Sequence, residues 1–119
     1  MGLDNWAMRG PDEGLPEEDK AAFDEADIHL CEFSGGDSSF RGKIYEIFVS
    51  DITDVSLHEE WIPPENIRVM LEAMERCDME AFIAADDYHR GRITVEEAES
   101  LKRFFRVCVE RGLGIIGSW

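Results

Sequence analysis

The sequence predicts a mainly α fold, a compact bundle of four to five helices, and three observations carry that expectation. Apolar residues recur at helical spacing in three separate stretches, around Phe40–Phe48, Ile67–Met74 and Ala98–Cys108. Thr94 and Glu97 stand at the spacing of a capping box in front of the last stretch. Glycine and proline fall between these stretches, at Gly35-Gly36, Pro63-Pro64, Gly91 and Gly112, where they punctuate helices without breaking them. A short two-stranded β pair, 28–33 with 113–117, can accompany the bundle, and α+β is the alternative class. The whole of 1–119 is expected to be one domain, since single cores span roughly 100–150 residues.

Taken in order, residues 1–15 (MGLDNWAMRGPDEGL) read as an irregular N-terminal lead-in. Pro16 suits the first turn of a short helix, with Glu17, Glu18 and Asp19 at its positive end, and that helix should end near Asp27. The apolar run Ile28–Phe33 predicts a strand, and Ser34–Ser39 is a breaker ending in N-cap residues. In the next helix Phe40, Ile44, Ile47 and Phe48 form one apolar stripe, and the acidic cluster Asp51–Asp54 ends it. Trp61 and Ile62 should anchor the connection 55–62, after which Pro63-Pro64 open a helix carrying Ile67, Met70, Leu71 and Met74.

Asp78 can cap a short helix with Met79, Phe82 and Ile83, and the polar stretch Asp86–Arg92 reads as a turn. The final helix presents Ala98, Leu101, Phe104, Phe105 and Cys108 to the core and stops at Gly112. The tail 113–117 is apolar enough to need a partner. The expected core is Phe40, Ile44, Phe48, Ile67, Leu71, Met74, Phe82, Leu101, Phe104 and Phe105.

Charge sets the surface apart. The chain carries 27 acidic against 12 basic residues, a net charge of −15, with only three lysines among its cations. Seven Phe, three Trp and an apolar fraction of 44% separate it from disordered acidic chains. Acids spread from Asp4 to Glu110 with scarce lysine resemble the composition of proteins from salt-in halophilic archaea, where screening shortens to a few ångströms. A surface for a basic partner is the competing reading of the same charge. Nucleic acid is an unsuitable partner, because binding it rests on cations that neutralise phosphate. No apolar run reaches the ~20 residues of a membrane span, and no basic-then-apolar leader opens the chain, so a cytoplasmic location is expected. Cysteines at 31, 77 and 108, odd in number, fit reduced thiols in that compartment.

Three blocks, SSFRGKIYEIF (38–48), SLHEEWIPPENI (56–67) and RFFRVCVERGLGIIG (103–117), together with the opening Met-Gly-Leu-Asp, resemble a family of small archaeal and bacterial proteins. That resemblance implies that the blocks belong to one stand-alone domain. It implies no activity, cofactor or catalytic residue.

Four candidate sites compete with blander structural roles. Ser38, Ser39, Arg41 and Lys43 close the 34–43 Gly/Ser loop at a helix start, where backbone N–H groups and two cations could hold an anion. The same residues equally serve an N-cap after a turn, and Asp37 would repel the anion. Asp86–Glu97 matches a calcium loop at its first, sixth, eighth and last positions, yet Tyr88 and Arg90 occupy two ligand positions, so no metal is expected there.

His29, Cys31, His58, Cys77, His89 and Cys108 lack the close spacing of a zinc set. Cys77 and Cys108 fall at apolar helix positions. Lys102, Arg103, Arg106 and Arg111 form either a docking face for an acidic partner or compensation for the helix dipole and nearby carboxylates. No catalytic set assembles from spacing alone, and no cofactor or metal is expected. The leading functional expectation is therefore a small non-enzymatic protein-interaction or accessory domain in a salt-adapted cytoplasm, acting on a protein partner or on itself. An anionic-ligand protein or enzyme using the 34–43 loop is the alternative.

Overall fold

The computed structural model describes residues 3–30 and 38–118. Among them six helices pack with one four-stranded antiparallel sheet, so the class is α+β, the alternative offered by the sequence. The helices of the expected bundle are present, but the sheet is larger than one strand pair. In chain order the elements are β1 (Asp4–Met8), α1 (Glu17–Glu25), β2 (Ser39–Phe40), α2 (Gly42–Thr53) and β3 (Trp61–Ile62). There follow α3 (Pro64–Glu75), α4 (Met79–Ala84), α5 (Asp87–Arg90), α6 (Val95–Arg111) and β4 (Gly114–Ser118). The sheet order is β2-β1-β4-β3.

The tail does form a strand, and among the described residues its partners are β1 and β3. Ile28–Leu30 lie outside any strand, and residues 31–33 lie outside the described residues. The lead-in is likewise corrected: Asp4–Met8 is a central strand, paired from Asp4↔Ser118 to Met8↔Gly114 on one side and with Ser39–Phe40 on the other. It hides from a hydrophobicity reading because its inward residues are Asn5 and Ala7, while the large Trp6 and Met8 point outward and are half-buried. An alternation of that kind looks polar on the face that is buried.

The helices follow local chemistry. Acids stand in the first turn of α1, where the dipole favours them. The prolines open α3, and the Asp78 carboxylate caps α4 by accepting from the Ala81 N–H at 3.1 Å. Thr94 and Glu97 close the capping box of α6, each accepting the other's backbone N–H at 3.1 Å. Gly112 ends that helix in the left-handed conformation and turns the chain into β4.

One expectation fails in α2. The helix starts at Gly42, Phe40 belongs to β2, and the buried face is Tyr45, Phe48 and Val49. Ile44 and Ile47, expected inside, are 38% and 43% exposed. Tyr45 wins the inward position because its hydroxyl donates to Glu97 Oε2 at 2.6 Å, which satisfies the polar tip of a buried ring. Within the stretch expected to be a turn, residues 87–90 form the single helical turn α5.

The core joins sheet and helices through aromatic contacts. Phe104 of α6 meets Phe23 of α1 at 4.8 Å and Phe40 of β2 at 4.9 Å between ring centroids. Full burial of one such ring is worth about 2–3 kcal/mol. Ile67, Leu71, Met74, Leu101 and Phe105 are buried as expected, and Phe82 is packed against the core from its edge. Asp19 is a fully buried carboxylate. Its carboxylate accepts from Arg9 Nε at 2.9 Å and Arg111 Nε at 2.5 Å, tying α1 to the end of β1 and to the end of α6. No described helix is long and apolar enough to cross a membrane.

Candidate functional site

The connection between α2 and β3 forms the wall of a cleft of about 590 Å³, lined by Ser56, His58, Glu59, Glu60, Gly117 and Ser118. Its chain is fixed from below. Leu57 is fully buried, its N–H donates to Glu46 Oε2 at 2.7 Å, and its carbonyl accepts from Asn5 Nδ2 at 3.0 Å. The Gly117 N–H donates to the Glu60 carbonyl at 3.3 Å, joining the connection to β4. A β-carbon at Gly117 would lie 2.5 Å from the Leu57 carbonyl and 2.6 Å from that of Glu59, so this close approach requires glycine. The wall is thereby tied by hydrogen bonds to β1, α2 and β4.

Electrostatically the cleft is one-sided. Glu59 and Glu60 are exposed on its rim, and no lysine or arginine is among its described lining residues. A neighbouring groove of about 430 Å³ shares Ser56 and Glu59 and adds Asp54, Trp61 and Asn66. Trp61 also belongs to the outward face of the sheet. There Ile116 pairs with both Trp6 and Trp61, so two half-buried indoles flank one isoleucine across three strands.

Ser56, His58 and Glu46 have the composition of a hydrolytic triad without its geometry. Ser56 Oγ lies 3.4 Å and Glu46 Oε2 lies 3.2 Å from the same ring nitrogen, Nδ1 of His58. A proton relay places the nucleophile and the carboxylate on opposite ring nitrogens. Ser56 Oγ instead accepts the His58 N–H at 3.0 Å, as a turn hydroxyl does. The arrangement orients the imidazole and the loop; it does not activate the serine.

Arg41 and Lys43 line one small cleft of about 180 Å³ with Leu3, Asp4 and Ile44 at the start of α2. Ser38 and Ser39 are buried, so their hydroxyls are withdrawn from that cleft's solvent side. The Lys43 N–H is spent on the Leu3 carbonyl at 3.2 Å, and Asp4 adds a carboxylate where an anion would sit. Ser34–Asp37 lie outside the described residues.

Each cation of the last helix is engaged within the fold. Lys102 pairs with Glu99 at 3.0 Å, Arg106 with Glu75 at 3.1 Å and Arg111 with Asp19. Arg103 Nη1 donates to the Asp27 carbonyl at 3.0 Å and to Ser100 Oγ at 3.2 Å. These contacts are those of the compensating role weighed for the four cations, as ion pairs and hydrogen bonds within the fold.

Glu97, the last acid of the calcium-loop match, accepts from Thr94 in the capping box and from the Tyr45 hydroxyl, so both of its oxygens are engaged within the fold. Cys108 is fully buried, and desolvation pushes its thiol well above the usual range. Cys77 is half-buried and its thiol is raised by the same cause, then by Asp78. Cys31 lies outside the described residues.

Sequence reasoning missed Asn5, the residue that holds the cleft wall to β1. Nothing in Asp4-Asn5-Trp6 marks it except a polar residue in what proves to be a strand. The pairing of 56–60 with 117–118 is a tertiary contact with no local signal. Comparison of the chain with protein-family models, curated proteins and solved structures finds no match.

Proposed function

We propose that the protein is a small non-enzymatic interaction module of a salt-adapted cytoplasm, and that its acidic cleft takes a basic segment of a protein partner. The observation that carries this reading is the cleft itself: tied to β1, α2 and β4, lined by His58, Glu59 and Glu60 with no lysine or arginine among its described lining residues, and sharing residues with a groove bearing Trp61. Carboxylates on a rim attract and orient a cationic segment, while an adjacent indole supplies apolar area and a face for a guanidinium. Trp6 and Ile116 extend that apolar surface across the sheet, and tryptophan is the residue type most enriched among binding anchors. At molar salt the electrostatic part weakens, so the indoles carry more of the affinity.

The test is amide-resolved NMR of the protein in ~2 M KCl, titrated with a short peptide of alternating Arg and Leu. Shifts confined to Ser56–Trp61 and Ile116–Ser118 support the reading. Shifts scattered over the acidic surface, with none at these residues, refute it.

A second reading keeps the anion site, because Arg41 and Lys43 share one cleft at the first turn of α2. It requires that phosphate or a carboxylated metabolite raise the melting temperature, and that Arg41→Gln abolish the rise.

A further inference from the structure

We propose that Asp51, Asp86 and His89 form a binding site for a divalent transition-metal ion. The three come from three places in the chain: Asp51 from the last turn of α2, Asp86 from the residue before α5, and His89 from α5 itself. Their ligand atoms all lie within 4.8 Å of one another. His89 Nε2 is 3.1 Å from Asp51 Oδ2 and 3.8 Å from Asp86 Oδ2.

The imidazole is built into position. Its side chain is 2% exposed, Phe82 stacks on it at 5.5 Å, and Phe48 meets it edge-on at 5.3 Å. Phe48 stands one turn before Asp51, so the same helix that clamps the ring also delivers a carboxylate to its nitrogen. Asp86 is oriented too, since its Oδ1 accepts the Tyr88 N–H at 2.8 Å and leaves Oδ2 facing His89. A buried, ring-clamped nitrogen thus faces two carboxylates that are 46% and 48% exposed, with their outer side open to water.

Metal bonds of about 2.0–2.2 Å place neighbouring donors about 3–3.5 Å apart, so closure needs only small movements of the two exposed carboxylates. The donor set chooses the ion. One imidazole with two carboxylates suits zinc, manganese, iron or cobalt dications, whereas calcium and magnesium favour all-oxygen shells. Water would complete the coordination from the exposed side. This site shares no residue with the cleft of Ser56–Glu60, and the two readings stand or fall separately.

The test is calorimetric titration of the full chain with zinc chloride in ~2 M KCl, where weak association with the surface acids is screened. Cobalt(II) absorption then reports the donor type. The expected result is 1:1 binding, a cobalt spectrum without a thiolate charge-transfer band, and affinity reduced about 10-fold or more by Asp51→Asn and by Asp86→Asn. Asparagine preserves the cap at 86 and the side-chain shape at exposed Asp51, so both variants should keep the fold. A control with Glu72→Gln and Glu80→Gln should bind as the parent does. Absence of binding, unchanged affinity in both aspartate variants, or a thiolate band would each overturn the proposal.

Discussion

The side-chain oxygen of Asn5 rests against the backbone of Gly42, so close that a β-carbon at residue 42 has no room. Asn5 is fully buried, and this oxygen has no hydrogen-bond partner among the described residues, while its amide holds the Leu57 carbonyl. One side chain therefore links the central strand, the start of α2 and the wall of the cleft. Gly42→Ala should destabilise the protein by about 1–3 kcal/mol, the usual cost of overpacking. Urea unfolding in ~2 M KCl measures it; an unchanged midpoint contradicts the close approach.

The Asp19 carboxylate is a pH-dependent tie. Burial alone would raise its pKa, but the hydrogen bonds from Arg111 and Arg9 outweigh burial and hold it below the usual carboxylate value. A depressed folded pKa contributes stability that is present above the unfolded value of about 4 and is lost as pH falls through the folded value. Asp19→Asn should cost about 1.5–3 kcal/mol at neutral pH, the range for hydrogen bonds to charged groups. The gap from the parent should narrow in acid. A gap independent of pH contradicts the assignment.

Cys108 should resist alkylation in the native state and react only as the protein unfolds, because desolvation disfavours its thiolate. Peptide mapping after timed iodoacetamide exposure checks this. Modification of Cys108 at the rate of a free thiol would contradict its burial.

The surface charge predicts salt dependence. With −15 on the chain, diluting KCl from molar to ~0.1 M lengthens screening from about 3 to 10 Å and restores repulsion. The melting temperature should fall on dilution. Equal melting temperatures at both salts would remove the halophilic reading.

What the sequence revealed depended on where the signal was local. The capping box at Thr94–Glu97, the stop at Gly112 and the prolines before α3 are read within a few residues, and all three stand in the fold. Strand β1 was missed because Asn5 and Ala7 take the buried positions through a hydrogen bond and small size rather than apolar bulk. The buried face of α2 was misjudged because Tyr45 becomes a core residue only through Glu97, 52 positions away. The cleft and the Asp51–His89 pair are equally non-local: His58, Glu59 and Asp86 are unremarkable among 27 acids and three histidines until the fold places their neighbours.

The most direct test of the interaction module is fluorescence anisotropy of the dye-labelled Arg/Leu peptide against three proteins: the parent, a Glu59→Gln, Glu60→Gln variant, and the Glu72→Gln, Glu80→Gln control. The two altered proteins carry the same net charge, so the general field of the molecule is matched and only the cleft differs. The account predicts that the first variant weakens binding by roughly tenfold, about 1.4 kcal/mol, while the control binds like the parent. Equal weakening in both would show that the peptide follows net charge, and would contradict the cleft as its site.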